Sequence, residues 1–154
     1  MKAKPNDTSG AVVRLRRILR ARREKVFEAW TDPRQLEKWF APSDEFKVHI
    51  RRQDLKAGGA YRFEMDKGRG ETFRLEGAYR LIQPPDKLVF TWRWHDWEGS
   101  QPDSVVTLEF LERGESTELI LTHEMLPDAP SRERHSQGWN GCLGRLERLV
   151  EAQV

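Results

Sequence analysis

The stretch GAYRLIQPPDKLVFTWRW, residues 77–94, indicates the type of fold most clearly. Large apolar side chains stand at every second position from Leu88 to Trp94, and the positions between them include Thr91 and Arg93. This period of two is typical of a β-strand with one buried face. Pro-Pro-Asp at 84–86 marks a turn before that strand, so the stretch predicts two strands that pair antiparallel across a short connection.

The same alternation extends in both directions, from about residue 45 to 126. Turns at Gly58-Gly59 and 67–70, and later around Gly114, divide the region into six strands that should pair antiparallel in order. Residues 11–20 are ambiguous, because their apolar positions fit both a strand and a helix. Their β-branched start favours a seventh strand.

Three helices complete the pattern. The first is predicted over 23–30, and the second begins with Asp32 as N-cap and Pro33 at its first position. A long C-terminal helix is predicted over 131–153, with Ser131 as its cap. The predicted fold class is therefore α+β: a curved antiparallel seven-stranded sheet wrapped around the long helix, with two short helices after the first strand.

Composition narrows the class of protein. A length of 154 residues suggests one domain, which we place at 11–154 after a flexible tail at 1–10. The tail has no apolar core of the kind a secretory signal carries, and no apolar run in the chain is long enough for a membrane span, so we expect a cytoplasmic protein. A single cysteine excludes an internal disulfide framework.

Charge is distributed unevenly along the chain. Residues 1–25 hold nine Lys or Arg against two acidic residues, whereas residues 26–154 carry a net charge of −5. The basic end could form a phosphate-binding patch. A solvated strand face is the more economical interpretation, because no base-reading element accompanies the arginines. We expect no nucleic-acid partner.

Four motifs resemble one known family. They are VFEAWTDPRQLEKWF (26–40), AGGAYRF (57–63), the opening stretch 77–94 and GW…L..L (138–146). In this order they resemble the activator-of-heat-shock-protein-ATPase homologue group of the START-like, birch-pollen-allergen-like (SRPBCC) superfamily. The resemblance covers roughly residues 11–152. It implies a helix-grip fold with a hydrophobic cavity between the sheet and the long helix, in a superfamily whose members bind lipids, cyclise polyketides, sequester antibiotics or contact chaperones.

The candidate cavity residues share the inward side of a strand or helix. They are Trp39, Phe40, Tyr61, Phe63, Phe73, Tyr79, Phe90, Trp92, Trp94, Val106, Phe110, Leu121, His123, His135, Trp139, Cys142 and Leu143. Aromatic walls suit a planar or lipid-like ligand, although the same rings could simply fill a core. Glycines recur at 138, 141 and 144 in the long helix, where close approach of a ligand or tight packing against the sheet would explain them.

No catalytic constellation stands out. His123 and His135 could orient a ligand or act as general bases, and each could equally be a hydrogen-bonded core residue. Cys142 lies two helical turns, about 10 Å, from His135, too far for a Cys–His pair, and is expected to be a small buried hydrophobe. No histidine or cysteine has zinc-site spacing, so neither a metal nor a cofactor is expected.

Three functions remain open. The leading hypothesis is a binder of a small hydrophobic ligand, as a monomer or homodimer. An enzyme of cyclase, dehydratase or hydrolase type would use the same cavity, with His123, His135 or a tyrosine as acid or base. A module that regulates a chaperone ATPase would instead use a large exposed apolar patch.

Overall fold

The computed structural model describes residues 11–152 and confirms the predicted fold class, an α+β helix-grip fold. The strands are β1 Ala11–Leu19, β2 Lys47–Gln53, β3 Ala60–Gly68, β4 Glu71–Gln83, β5 Lys87–Trp94, β6 Ser104–Arg113 and β7 Ser116–Leu126. The helices are α1 Arg23–Thr31, α2 Pro33–Trp39 and α3 Ala129–Ala152. The predicted tail at 1–10 lies outside the described residues.

The sheet has the order β1-β7-β6-β5-β4-β3-β2, and every neighbouring pair is antiparallel. Strands joined by short turns pair in sequence, and β1 joins the far side of β7. The register of β4 against β5 shifts after Tyr79, which pairs with Phe90, so that Leu81 pairs with Val89. The alternation in the sequence predicts Leu81 on the inner face, but this bulge places Ile82 against the core instead.

Aspartate side chains cap the first turns of α2 and α3. Asp32 caps α2, because its carboxylate accepts a hydrogen bond from the Arg34 backbone N–H at 3.0 Å. The predicted cap at Ser131 is wrong: α3 begins at Ala129, and the Asp128 carboxylate accepts a hydrogen bond from the Ser131 N–H at 2.9 Å. Pro130 then lies in the first turn, where its missing N–H costs little.

Helix α3 buries one face, with Trp139, Leu143, Leu146 and Val150 inside. No helix within residues 11–152 is long and apolar enough to cross a membrane.

The basic segment is tied to the rest of the molecule by ion pairs. Arg16 pairs with Glu118 on β7. Arg17 pairs with Glu147 on α3 at 3.0 Å, and Arg20 pairs with Glu151 on the same helix at 3.1 Å. The pairs of Arg17 and Arg20 are partly exposed and contribute little stability each. They do compensate the cationic side chains with carboxylates from other elements.

A solvent-open apolar cavity as the candidate functional site

A cavity of about 610 Å³ lies between the sheet and α3. Its walls come from the end of α2 and the residues after it, from β3, β4 and β5, from the loop after β5, and from the first half of α3. Most of its surface is apolar. The lining residues are Phe40, Pro42, Phe46, Met65, Thr72, Phe73, Arg74, Trp92, Trp94, His95, Asp96, Trp97, Arg134, His135, Gly138, Trp139 and Cys142.

The buried end of the cavity is held by a clamp between α2 and α3. Arg145 on α3 donates a hydrogen bond to the backbone carbonyl of Trp39, the last residue of α2, at 3.2 Å. Gly141 brings the helix so close to the following loop that a Cβ there would lie 2.3 Å from the Pro42 carbonyl oxygen. The clamp fixes Phe40, which is 2% exposed, at the end of the cavity.

Aromatic rings surround the mouth. Phe73 is 45% exposed, and its ring centroid lies 5.9 Å from that of Phe46 and 6.5 Å from that of Trp94. Trp97, from the loop after β5, also lines the cavity, and its ring centroid lies 6.4 Å from that of His135. An exposed phenylalanine among partly exposed aromatic rings is an apolar surface available to a ligand.

Charged side chains form the rim. Arg74, Asp96 and Arg134 line the cavity and are exposed. Arg74 is paired with Glu64 at 3.5 Å. The site therefore combines an apolar interior with an ionised edge, which suits an amphipathic molecule with its polar end outward.

His123 lies fully buried behind this wall, and both of its ring nitrogens are hydrogen-bonded. The Trp139 indole donates to Nδ1 at 3.0 Å, and Nε2 lies 2.8 Å from the Ser104 hydroxyl. An indole can only donate, so Nδ1 carries the lone pair and Nε2 carries the proton. The Ser104 hydroxyl in turn donates a hydrogen bond to the backbone carbonyl of Trp92 at 2.8 Å. The chain of donors and acceptors is complete for a neutral imidazole.

His135 is held in the same way at the cavity wall. The Trp94 indole donates to its Nε2 at 2.9 Å, and its Nδ1 donates to the Ser131 carbonyl at 2.7 Å. The two imidazole centroids are 5.1 Å apart. Each histidine thus has its only lone pair occupied by an indole N–H, and neither has one free to take a proton from a substrate.

Burial sets the protonation of the titratable groups at the site. It holds the pKa of His123 well below its usual value, with a smaller contribution from nearby His135. Burial also lowers the pKa of His135, against the opposing hydrogen bond to Ser131. The pKa of the Cys142 thiol is raised to about 12 by burial, so the thiolate needed for nucleophilic chemistry is scarce at neutral pH.

The structure divides the predicted cavity residues into two groups. Seven line the cavity: Phe40, Phe73, Trp92, Trp94, His135, Trp139 and Cys142. Ten lie away from its lining: Trp39, Tyr61, Phe63, Tyr79, Phe90, Val106, Phe110, Leu121, His123 and Leu143. Their side chains pack against one another in the core. Between Tyr61, Tyr79 and Phe90 only a void of about 10 Å³ remains, barely the space of one water.

Sequence reasoning did not place ten of the lining residues in the site. They are Pro42, Phe46, Met65, Thr72, Arg74, His95, Asp96, Trp97, Arg134 and Gly138. Trp97 offered a signal, because a tryptophan in an otherwise polar loop usually covers something apolar. Met65 continues the alternation of Tyr61 and Phe63, and Gly138 belongs to the glycine series of the long helix, but neither was assigned to the site. Within residues 11–152 no group of three or more His, Cys, Asp or Glu side chains could hold a metal ion.

Comparison with known proteins agrees with the fold. The family model described as Activator of Hsp90 ATPase homolog 1-like protein matches residues 20–151. No curated protein matches the chain. A protein from Chromobacterium violaceum is 31% identical, with 96% of this chain and 99% of that chain covered and a TM-score of 0.82.

Two further solved structures are similar. A protein of the same family from Silicibacter pomeroyi is 28% identical, with 94% and 100% of the two chains covered and a TM-score of 0.80. CalU16 from Micromonospora echinospora is 27% identical, with 90% of this chain and 75% of that chain covered and a TM-score of 0.68. The chain therefore belongs to the Activator of Hsp90 ATPase homolog 1-like family of the SRPBCC, helix-grip superfamily.

Proposed function

We propose that this protein binds a small hydrophobic ligand, lipid-like or aromatic, in the cavity between the sheet and α3, and does so in the cytoplasm. The observation that carries the proposal is the cavity itself. Its volume of about 610 Å³ falls within the roughly 300–1,000 Å³ typical of small-molecule sites. It is open to solvent and walled largely by aromatic rings, so a ligand can enter and bury apolar surface.

Partly exposed rings at the mouth give binding a driving force. Phe73 leaves 45% of its surface in contact with water. A ligand that covers this ring and the adjacent Trp94 gains about 25 cal/mol for each Å² of apolar surface removed from water. The ionised rim, with Arg134 and Asp96 exposed, favours a ligand whose polar end stays at the mouth.

The hydrogen bonds around the histidines support binding over catalysis. A general base needs a lone pair within reach of the substrate. The indole N–H of Trp139 occupies the lone pair of His123, and the indole N–H of Trp94 occupies the lone pair of His135. Neither Tyr61 nor Tyr79 lines the cavity, and burial raises the pKa of Tyr79 to about 12. The family has ligand-binding and polyketide cyclase-like members, which is consistent with a cavity used for a bound organic molecule.

The proposal is tested by titrating the protein with 1-aminoanthracene, a neutral aromatic probe that becomes fluorescent in apolar surroundings. The wild type should bind one probe per chain with saturation. Phe73→Ala should weaken binding about fivefold to thirtyfold, the equivalent of losing roughly 1–2 kcal/mol of apolar contact. Ile18→Ala is the matched control, because Ile18 is 44% exposed but lies on β1, away from the cavity.

Two results would contradict the proposal. The first is the absence of saturable probe binding by folded wild-type protein, which would favour the alternative that the surface regulates a chaperone ATPase. The second is an equal loss of affinity in Phe73→Ala and Ile18→Ala, which would place the probe elsewhere. If neither result is found, native mass spectrometry of freshly purified protein would identify a natural ligand by its mass.

A further inference from the structure

The three glycines of α3 have different surroundings. A Cβ at Gly141 would lie 2.3 Å from the Pro42 carbonyl oxygen, so close packing explains that glycine. A Cβ at Gly144 would meet only the Arg17 Nη1 atom, at 4.0 Å. A Cβ at Gly138 would meet nothing within 4 Å, although this residue lines the cavity. Packing within the protein therefore gives no reason for a glycine at 138.

The position of Gly138 on α3 indicates what its missing side chain does. Arg134 and Cys142, four residues before and after it, lie on the same row of the helix surface, and both line the cavity. On the adjacent row, His135 and Trp139 also line it. A side chain at 138 would therefore project into the cavity, and its absence leaves a notch in the middle of the helix wall.

We propose that Gly138 determines which ligands fit, by letting an apolar edge of the ligand lie directly against the backbone of α3. This inference rests on the proposed function and names the wall that sets ligand size. Glycine is disfavoured inside a helix relative to alanine because it loses more conformational freedom on folding. At 138 no contact within the protein compensates for that loss of stability. The benefit of a glycine at this position is therefore the open space that it leaves in the cavity.

The inference predicts that stability and binding change in opposite directions. Gly138→Ala should raise the melting temperature by about 2–4 °C, because alanine favours the helix and has room. Gly138→Leu should fill the notch further. Gly144→Ala is the matched control, since it makes the same change in the same helix outside the cavity and should raise the melting temperature without altering probe binding.

Two neutral probes of different size provide the readout. Nile red, with four fused rings, needs more of the cavity than 1-aminoanthracene. Gly138→Leu should weaken Nile red binding tenfold or more, Gly138→Ala should weaken it about threefold, and 1-aminoanthracene should be affected less. Circular dichroism confirms that each variant is folded. Should Gly138→Leu fail to fold, the Gly138→Ala result with Nile red decides.

The outcomes separate this inference from the proposed function. Unchanged Nile red affinity in a folded Gly138→Leu, or an equal loss in Gly144→Ala, overturns the role of Gly138 and leaves the binding function standing. Wild-type binding of 1-aminoanthracene without binding of Nile red also overturns it, because the notch is then unused. If the wild type binds neither probe, the proposed function fails and this inference fails with it.

Discussion

Lowering the pH from 7.5 to 5.5 should destabilise the protein through His123. In the folded state its Nδ1 accepts from Trp139 and its Nε2 faces Ser104, so a second ring proton would confront the indole N–H. Burial holds the folded-state pKa well below the ordinary value. The unfolded chain therefore binds a proton near pH 6.5 that the folded chain does not. Stability from this group is fully present above pH 6.5 and is lost as the pH falls below it.

The size of the stability loss follows from the pH range in which the unfolded histidine is protonated and the folded one is neutral. Each pH unit in which the unfolded histidine is protonated and the folded one is neutral costs about 1.4 kcal/mol. From pH 6.5 to 5.5, His123 alone should therefore lower the free energy of unfolding by about 1 kcal/mol and the melting temperature by about 2–4 °C. His135, whose pKa burial also lowers, acts in the same direction. Glutamates protonate in the unfolded chain near pH 4.3 and contribute little in this window.

Urea denaturation followed by tryptophan fluorescence at pH 7.5, 6.5 and 5.5 measures the effect. The wild type should lose stability below pH 6.5. His123→Gln should be less stable at pH 7.5, and its remaining pH dependence should be only the part due to His135. Ile18→Ala, a change at an exposed position on β1, should keep the wild-type profile. If the stability of the wild type does not change with pH, or if His123→Gln keeps the full wild-type pH dependence, the role assigned to His123 is wrong.

Three further predictions concern α3. Trp139→Phe keeps a ring in the core but removes the hydrogen-bond donor to His123. Urea denaturation should therefore show a free energy of unfolding lower by about 1–3 kcal/mol. A decrease of less than about 0.5 kcal/mol would contradict the hydrogen bond. Gly141→Ala should lower stability by about 1–3 kcal/mol in the same assay because the methyl group meets the Pro42 carbonyl, and an increase would contradict that contact. Cys142, with a pKa of about 12, should resist alkylation by iodoacetamide at pH 8 in the folded protein and should react once the protein is denatured. Mass spectrometry can follow the alkylation. Rapid alkylation of the native protein would contradict this prediction.

The fold was predictable because its signals are local. Leu88, Phe90 and Trp92 alternate on one strand, and their parity alone assigns them to the buried face. Asp32 and Pro33 mark the start of α2 within two residues. The bulge after Tyr79 was not predictable in this way, because Leu81 and its neighbour Ile82 are both apolar and the alternation does not show which of them faces the core.

The site was predictable only in part because it depends on distances between elements. Parity separates inward from outward side chains, yet Phe90 and Trp92 are both inward and only Trp92 reaches the cavity. Phe90 packs against Trp30 of α1 and Tyr61 of β3, whereas Trp92 packs against Trp139 of α3 at the cavity wall. The hydrogen-bonded chain through His123 joins β6, β7 and α3, so Ser104 and Trp139 had no signal in the sequence that linked them.

The central claim is that a small apolar molecule occupies the cavity between the sheet and α3. A ¹H–¹⁵N NMR titration with 1-aminoanthracene tests it most directly. We expect saturable shifts of amide signals that cluster at residues 134–142, 92–97 and 72–74, with β1 and β7 unaffected. Shifts confined to β1 and β7, or none at probe saturation, would contradict it.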